Sequence, residues 1–493
     1  MRRLQGEALG RIVGIDLGTC SSAVAAIIDG RPMIIPSPEG SVPGGKAFGS
    51  CVAFKEDGRI VVGEAARRLA SVIPDRTVFG IKRAMGIRDK IRVGDGWHSP
   101  ESITALILEK MMRDVMTSLH EEVDTAVITV PSCFNSKQRE SVKDAATMAG
   151  LKVARIINES TAAALAYAFS SRSRRSTLKR IMIFHLGGGM FDVSIVEVWR
   201  APNRGETTLE VLATAGDTSI GGIDIDDAIV SNLVAKFKKK TGVDLSSDKA
   251  AIMRLREAAE EAKIRLSYEL SVEISVPSVL PSVDFRVMMT RVELEGLVKP
   301  IVQRCRTVMD QTMKDAKVKV SPRDIDLLIP IGGPTRMPIV RKLVEGYVQR
   351  PVGGGVDPME CVAIGAAIDA ATITGQVKNI LLLDVSPWSI GVEASNGLFL
   401  RIVQRNTPIP TRRSQILSTA HDSQQGMTIP FFEGENEIAA KNMLLGVLNF
   451  TGIPLAPKET PQIEVTIDID VNGIVRANAR DIATGRHLQT TLK

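Results

Sequence analysis

The chain contains one short pattern twice: an apolar run, a glycine-rich turn and a second apolar run. In the first copy, residues 14–19 (Gly-Ile-Asp-Leu-Gly-Thr) precede the apolar run 23–28, and in the second, residues 185–192 lie between the runs 181–184 and 193–198. Each copy predicts a strand, a tight turn and a returning strand. Glycine N–H groups can approach a polyphosphate closely because no side chain intervenes. The repeat therefore predicts two related lobes that face each other across a phosphate-binding cleft.

A third glycine loop, Gly332 and Gly333, supports the same interpretation. It follows a predicted strand at 327–331 and precedes a predicted helix at 336–347. The N-terminus of a helix that is preceded by bare backbone is a favourable site for phosphate. Each glycine hairpin taken alone is more often an ordinary tight turn, whereas the three loops together favour a nucleotide held between two lobes.

The pattern along the chain predicts two kinds of domain. From Arg11 to Val377, short apolar runs alternate with longer helical patterns, which is typical of α/β architecture. Beyond this point alternating strands, turns and prolines dominate. Because 493 residues exceed what one hydrophobic core can organise, we predict an α/β domain over 1–377, a linker over 378–385 and an all-β domain over 386–493.

The all-β domain carries a strong hairpin signal at Asn472 and Gly473. These two residues separate the alternating runs 462–469 and 474–479. An Asn-Gly pair between such runs favours a two-residue type I′ turn, in which both residues have positive φ.

Composition argues against several classes of function. The net charge of +6 arises from 62 basic and 56 acidic residues that are interleaved, so we expect no nucleic-acid partner. No apolar run approaches the roughly 18–20 residues of a membrane helix, and residues 1–10 lack the apolar stretch of a secretory signal, so we expect no membrane insertion. The cysteines are scattered and odd in number, which fits the cytoplasm or another reducing compartment, such as an organelle matrix or stroma. They are Cys20, Cys51, Cys133, Cys305 and Cys361.

Several segments resemble, in order, the signatures of the 70-kDa heat-shock (DnaK-type) molecular chaperones. They are residues 14–19, 126–135, 155–167, 212–226, 332–338 and 381–384. The resemblance extends from Arg11 to Lys493. It implies a two-lobed actin-like ATPase domain followed by an all-β sandwich that binds peptides. It also implies ATP or ADP with Mg²⁺ as cofactors, and K⁺ as a further candidate ion.

The resemblance assigns catalytic roles to Asp16, Thr19, Lys82 and Glu159. Asp16 matches the family's magnesium ligand, which acts through water, and Thr19 a hydroxyl of the phosphate loop. Lys82 matches a catalytic lysine that offsets charge on the γ-phosphate, and Glu159 an acid that orients the attacking water. Taken singly, each residue is more often part of a surface salt bridge.

The resemblance also implies a larger set of nucleotide contacts. Glu260, Lys263 and Ser267 fall on one helical face that would hold the base and ribose, although such a face is also typical of solvated charge pairs, and Arg336 would stack on the base. The full set is Gly18, Thr19, Cys20, Gly187, Gly188, Gly189, Gly221, Gly222, Glu260, Lys263, Ser267, Gly332, Gly333 and Arg336.

Two residues in the second glycine hairpin depart from the family's pattern. His185 stands where the family has aspartate, and Met190 where it has threonine. A neutral imidazole offers one nitrogen and no negative charge to a hard cation such as Mg²⁺. We therefore expect ATP binding to persist and the ATPase activity to be impaired, since one lost positioning group commonly costs about 10²–10³ in rate.

The leucine run at 381–383 has two interpretations. From its residues alone it is most simply the first buried strand of the all-β domain. The resemblance instead implies a linker that docks on the ATPase domain when ATP is bound, with Pro131 and Arg139 as a switch pair. The predicted allosteric linker residues are Leu381, Leu382, Leu383 and Asp384.

The resemblance places a peptide cleft in the all-β domain. Apolar residues in such strands are more often core, whereas the family pattern uses them to line the cleft. Ser395 replaces a large arch residue, and the chain ends at Lys493 before the family's helical lid, so we expect rapid peptide exchange. The predicted lining is Val392, Ser395, Leu417, Ala420, Met427, Ile429 and Ile463.

Three hypotheses of function follow. The first is an ATP-dependent chaperone for unfolded or nascent polypeptides, with a J-domain co-chaperone and a nucleotide-exchange factor implied by the resemblance alone. The second is a scaffold or regulatory subunit that binds ATP and hydrolyses it weakly or not at all, which His185 and Met190 favour. A sugar or acetate kinase of the same ATPase fold is the third, and it leaves the linker and the all-β domain without a use.

Overall fold

The computed structural model describes residues 11–39, 47–170, 178–201, 206–316, 320–353, 355, 357–394 and 396–492. Within these residues, no helix is long and apolar enough to cross a membrane. The helices are α1 (Glu64–Leu69), α2 (Pro100–Leu119), α3 (Ser136–Met148), α4 (Glu159–Ser170), α5 (Gly222–Thr241), α6 (Lys249–Leu266), α7 (Arg291–Asp315), α8 (Pro338–Val348) and α9 (Cys361–Ile373).

The strands predicted at 12–16 and 327–331 are both present with these bounds. The helix predicted over 336–347 begins at Pro338 instead, because Gly333–Arg336 forms a 3₁₀ turn. The strands are β1 (Ile12–Asp16), β2 (Ser21–Ile28), β3 (Arg31–Ile35), β4 (Phe48–Gly49), β5 (Cys51–Phe54), β6 (Ile60–Val62), β7 (Thr77–Phe79), β8 (Ile91–Val93), β9 (Gly96–His98), β10 (Thr125–Val130), β11 (Lys152–Asn158), β12 (Leu178–Leu186), β13 (Phe191–Arg200), β14 (Thr207–Asp217), β15 (Ser271–Leu280), β16 (Val283–Thr290), β17 (Leu327–Ile331), β18 (Ile380–Val385), β19 (Ile390–Glu393), β20 (Phe399–Val403), β21 (Pro408–Ile409), β22 (Thr411–Leu417), β23 (Gly426–Glu433), β24 (Met443–Thr451), β25 (Ile463–Ile469), β26 (Val475–Asp481) and β27 (His487–Thr491).

Two six-stranded sheets form the two lobes of the α/β domain. In the first lobe, β1 pairs antiparallel with β2 and parallel with β10. In the second lobe, β12 pairs antiparallel with β13 and parallel with β17. The glycine turns of the sequence repeat therefore connect equivalent strands, which confirms the predicted repeat. The strand orders are β11-β10-β1-β2-β3, with β4 beside β2, and β17-β12-β13-β14-β18-β21.

One hydrophobic core joins the lobes beneath the cleft. Helices α4 and α9 pack against each other and against strands of both sheets. Helix α9 lies very close to α4 and to β1. A Cβ at Gly365 would lie 1.8 Å from the carbonyl oxygen of Ala162, and one at Gly14 would lie 2.2 Å from the amide nitrogen of Ala367. Because only glycine fits at these crossings, the lobes are joined tightly at their base and the cleft lies above.

The second domain, called the β-domain below, consists of two four-stranded sheets that face each other. Their orders are β20-β19-β23-β24 and β22-β25-β26-β27. Side chains from both sheets, among them Val392, Phe431 and Val465, form a single buried cluster. This arrangement confirms the predicted all-β sandwich.

The hairpin at Asn472 and Gly473 connects β25 to β26, but the predicted type I′ turn is wrong. Of these two residues only Gly473 has a positive φ, 75°. Oδ1 of Asp470 accepts hydrogen bonds from the N–H groups of Asn472 and Ile474, at 2.8 and 3.0 Å, and so fixes a longer loop. The side chain of Asn472 is left to contact the α/β domain.

The predicted linker forms a strand of the second lobe. Strand β18 pairs in parallel with β14, with Leu381 opposite Thr208. At its end Asp384 lies opposite Ile409 of β21, so the same strand contacts both domains. The leucine run is therefore an added strand of the second lobe and not the first buried strand of the β-domain.

Candidate functional site

The glycine loops meet in the cleft between the lobes. Gly188 lies against the first hairpin so closely that a Cβ there would be 2.5 Å from Sγ of Cys20. The N–H of Gly222 donates to the carbonyl of Gly187 at 2.9 Å, which joins the second hairpin to the start of α5. Gly332 has a φ of 88°, which favours glycine. The bare backbone of these loops therefore borders one shared space.

Two adjoining cavities occupy this space. Two of the predicted nucleotide contacts, Gly189 and Gly221, line neither cavity. They lie against each other, since a Cβ at Gly221 would be 2.6 Å from Gly189. The other predicted residues line one cavity or both. The first cavity includes Asp16, Gly18, Thr19, Cys20, Lys82, Pro131, Glu159, His185, Gly187, Gly188, Met190, Gly332 and Gly333. The second includes Cys20, Gly188, Gly222, Asp226, Glu260, Lys263, Ser267, Tyr268, Gly333 and Arg336.

Lys82 and Glu159 form a buried ion pair in the first cavity. Each side chain is only 4% exposed, so the interpretation as a surface salt bridge is wrong. Asp16 lies nearby and accepts a hydrogen bond from Oγ1 of Thr129 at 3.2 Å. Burial and repulsion by Glu159 raise the pKa of Asp16 to about 6 against the opposing effect of Lys82. Bringing an anionic phosphate here therefore requires compensating positive charge.

The surroundings of His185 favour its protonated form, in contrast to the neutral imidazole considered from the sequence. Its Nδ1 lies 3.1 Å from Oε2 of Glu159 and 3.1 Å from Oδ2 of Asp192. Burial lowers the pKa of His185, but Asp192, Glu159 and Asp16 together attract the proton more strongly and raise the pKa to about 9. Asp192 was not predicted as a site residue, although its register opposite His185 across the hairpin indicates the contact.

Met190 borders the first cavity and also packs into the first lobe. Its side chain is buried and belongs to the core cluster of the first lobe, together with Leu17. It therefore supplies no oxygen ligand, as expected, and instead forms an apolar contact between the second hairpin and the first lobe.

The residues present suit a magnesium nucleotide. Asp16 offers carboxylate oxygens of the kind that Mg²⁺ prefers, and the turn at Gly188 has space only because it lacks a Cβ. Lys82 provides a fixed cation beside the same space. The first cavity is therefore suited to the polyphosphate.

The second cavity suits the base and ribose. Glu260, Lys263 and Ser267 all line it from one face of α6, as their spacing predicts. Nζ of Lys263 lies 2.7 Å from Oδ1 of Asp226, and burial raises the pKa of Asp226 to about 6. Glu260 pairs with Arg67 of the first lobe, so this ion pair also closes the cleft.

A set of buried hydrogen bonds anchors the linker to residues that adjoin Glu159 of the first cavity. Asn158, the neighbour of Glu159, donates through Nδ2 to Oδ1 of Asp384 at 2.9 Å. Thr161 donates to Oδ2 of the same carboxylate at 2.9 Å. Arg139 donates to Oδ1 of Asn158 at 2.6 Å. The predicted switch residue Arg139 and linker residue Asp384 thus share one buried polar partner.

Direct contacts between the α/β domain and the β-domain were not predicted. Nε1 of Trp388 donates to the carbonyl of Cys133 at 2.9 Å, and Oδ1 of Asn406 accepts from the N–H of Thr214 at 2.9 Å. Oδ1 of Asn472 accepts from the N–H of Ile156 at 2.9 Å. The two residues of each pair are distant in sequence, so no periodic pattern could have predicted these contacts.

The predicted lining of the peptide cleft divides into three groups. Val392, Ile429 and Ile463 are buried in the core of the β-domain, and Leu417 and Met427 are half-buried against that core. Ala420 is exposed. Ser395 lies outside the described residues. The assignment of these residues to a peptide cleft stays a prediction.

Glu433 places a buried titratable carboxyl group at the contact between the domains. Its Oε2 accepts from the N–H of Ser136 at 3.1 Å, at the start of α3. Burial raises the pKa of Glu433 to about 7, although the Ser136 N–H and the charge of Arg139 lower it. A carboxyl group whose pKa is higher in the docked form stabilises docking while it is protonated. This contribution is complete below pH 4.5, the ordinary pKa of glutamate, and it is lost as the pH rises to about 7.

We therefore expect docking to weaken by up to about 3 kcal/mol between pH 4.5 and 7. Fluorescence of Trp388, with Trp97 and Trp199 replaced by phenylalanine, measures docking through the hydrogen bond to Cys133. Glu433→Gln removes the titrating group and should abolish this dependence, while Glu437→Gln on the exposed loop should keep it. An unchanged pH profile in Glu433→Gln would contradict this assignment.

Comparisons with known proteins agree with the resemblance found in the sequence. A family model described as Hsp70 protein matches residues 12–493. The chaperone protein DnaK of Methanothermobacter thermautotrophicus is 48% identical over 98% of this chain and 80% of its own length. DnaK of Thermoplasma volcanium is 47% identical over 98% of this chain and 78% of its own length. DnaK of Nitrosopumilus maritimus is 43% identical over 98% and 76%, respectively.

Proposed function

The chain belongs to the Hsp70 family of ATP-dependent chaperones, and we propose that it binds extended hydrophobic segments of unfolded polypeptides with an affinity set by the nucleotide. One observation carries the proposal: the linker strand β18 is paired with β14 of the second lobe and fixed through Asp384 beside the cleft. An element held by both domains can transmit a change at one site to the other.

At the nucleotide end, ATP would lie between the lobes with its phosphates in the first cavity. Bound Mg²⁺ would neutralise part of the phosphate charge. Asp16 would hold the ion through water, and Lys82 would face the γ-phosphate. Glu159, which contacts Lys82 and His185, would orient the attacking water. Hydrolysis by this chain is part of the proposal.

The coupling would run through Asn158. Its backbone adjoins Glu159 at the cleft, and its side chain bonds both Arg139 and Asp384. A change in the position of Glu159 when the γ-phosphate leaves would therefore alter the anchor of the linker. Release of β18 would then separate the domains and change the peptide-binding strands of the β-domain.

Partners and compartment follow from the family rather than from the geometry. We propose unfolded or nascent polypeptides as clients, together with a J-domain co-chaperone and a nucleotide-exchange factor. Neither a nucleic acid nor a membrane is proposed as a partner. All five cysteines are free, which is compatible with the proposed cytoplasmic or other reducing compartment.

The test is the rate at which a fluorescent, extended hydrophobic peptide dissociates when ATP or ADP is added. We expect ATP to accelerate dissociation by roughly 5–150-fold relative to ADP, the range of ordinary allosteric coupling. Met427→Asp should weaken peptide binding without changing nucleotide affinity, whereas the outward-facing control Val447→Asp should leave both intact. Equal dissociation rates with both nucleotides bound would overturn the proposal and favour the scaffold hypothesis.

A further inference from the structure

The phosphate end of the cleft contains more negative than positive charge. Asp16, Glu159 and Asp192 are three carboxylates, and Lys82 contacts only Glu159 among them. The two oxygens that face His185 belong to Glu159 and Asp192, and these atoms lie with Nδ1 within 4.8 Å of one another. Two buried carboxylates at this spacing repel each other unless a cation lies between them.

The ring of His185 lies in that position. Nδ1 is 3.1 Å from an oxygen of each carboxylate, and it makes its hydrogen bond to Oδ2 of Asp192. Carboxylate oxygens only accept, so Nδ1 must carry the hydrogen. Oδ1 of Asp192 has no hydrogen-bond partner among the described residues, so the compensation of its charge depends on His185. Nε2 lies on the side of the glycine turn, 3.4 Å from where a Cβ of Gly187 would be.

We propose that the imidazolium ring of His185 is a built-in cation of the nucleotide site, in the place between Glu159 and Asp192 where a monovalent ion such as K⁺ would otherwise be needed. The proposal rests on the proposed nucleotide function of the cleft. It implies that adenine nucleotides bind with Mg²⁺ alone and without a monovalent metal ion. His185 is therefore a positioning residue that replaces an ion, and the site does not suit K⁺.

The surroundings of His185 support a permanent charge. Asp192, Glu159 and Asp16 all attract the proton, and they outweigh burial so that the pKa rises to about 9. Lys82 is held by the other oxygen of Glu159. These carboxylates therefore favour the charged form of the ring.

The test measures ADP affinity by calorimetry with Mg²⁺, in buffers whose monovalent cation is either K⁺ or N-methylglucamine. We expect the unaltered chain to bind equally in both. His185→Gln keeps a hydrogen-bond donor without the charge, and its affinity should fall by at least about tenfold in N-methylglucamine and recover in K⁺. His487→Gln, an exposed histidine of the β-domain, is the matched control and should behave as the unaltered chain.

A fall in affinity of the unaltered chain when K⁺ is withdrawn would overturn the inference while leaving the proposed function intact. Failure of ADP to bind in either buffer would overturn the proposed function itself. The nitrogen NMR shifts of the His185 ring give a test that depends on no variant and no nucleotide. They should show both ring nitrogens protonated at pH 7.5, and a neutral ring would refute the built-in cation.

Discussion

Lys82→Met is expected to slow single-turnover hydrolysis of ATP by about 10²–10³-fold relative to the unaltered chain. The ammonium group lies in the first cavity and pairs with Glu159 in a buried setting. Methionine has a similar length but no charge, so the γ-phosphate would lose its fixed positive partner. Rapid mixing with labelled ATP, followed by quenching, measures the chemical step separately from product release.

The same substitution also tests whether the ion pair has a structural role. Removing one partner of a buried ion pair commonly costs about 3–5 kcal/mol, because the other charge is left uncompensated. The double variant Lys82→Met with Glu159→Gln removes both charges and should recover much of this stability while hydrolysis stays slow. Urea unfolding measures the stability of both variants, and Lys238→Met, which breaks an exposed pair with Asp244, should leave the stability nearly unchanged.

Hydrolysis by Lys82→Met within about threefold of the unaltered rate would contradict the catalytic assignment, whatever the change in stability. Recovery of the rate in the double variant would indicate that Lys82 acts only by neutralising Glu159. The two outcomes separate a catalytic residue from a structural ion pair.

The architecture of the cleft could be predicted because its determinants are local. A strand, a glycine turn and a returning strand can be recognised within about 15 residues, and the two copies in the sequence become β1–β2 and β12–β13. The third loop, at Gly332, likewise lies between a strand and a helix. Local periodicity thus predicted which backbone segments would meet.

The charge of His185 could not be predicted from its residue type. Asp192 faces it across the hairpin and was recoverable from the strand register, but Glu159 reaches it only through the packing of α4 between the lobes. The sign of the pKa shift depends on which effect is larger, burial or the attraction of these carboxylates. That comparison requires distances between residues remote in sequence.

The peptide cleft could not be predicted from the sequence for a different reason. Their apolar residue type favoured a core position for Val392, Ile429 and Ile463, and they are buried. A residue that lines a cleft between two sheets and one that fills a closed core have the same alternating pattern. The pattern therefore predicts the sandwich and leaves the cleft to be tested by binding.

Asp384→Ala is expected to abolish most of the acceleration of peptide release by ATP. The carboxylate accepts hydrogen bonds from Asn158, Thr161 and its own neighbour Val385. Alanine would leave the buried side chains of Asn158 and Thr161 without this acceptor, at a cost of about 1–3 kcal/mol for each unsatisfied group. This cost equals or exceeds the 1–3 kcal/mol that typically couples two sites, so the docked linker would no longer be favoured.

The measurement is peptide dissociation with ATP and with ADP, combined with nucleotide affinity by calorimetry. Peptide affinity with ADP should stay within about twofold of the unaltered chain, because Asp384 lies outside the β-sandwich core and its loss affects docking alone. Asp468→Ala, which removes an exposed carboxylate from β25 of the same domain, should respond to ATP as the unaltered chain does. A full response to ATP in Asp384→Ala would mean that the signal bypasses the linker and crosses the direct contacts at Trp388, Asn406 and Asn472.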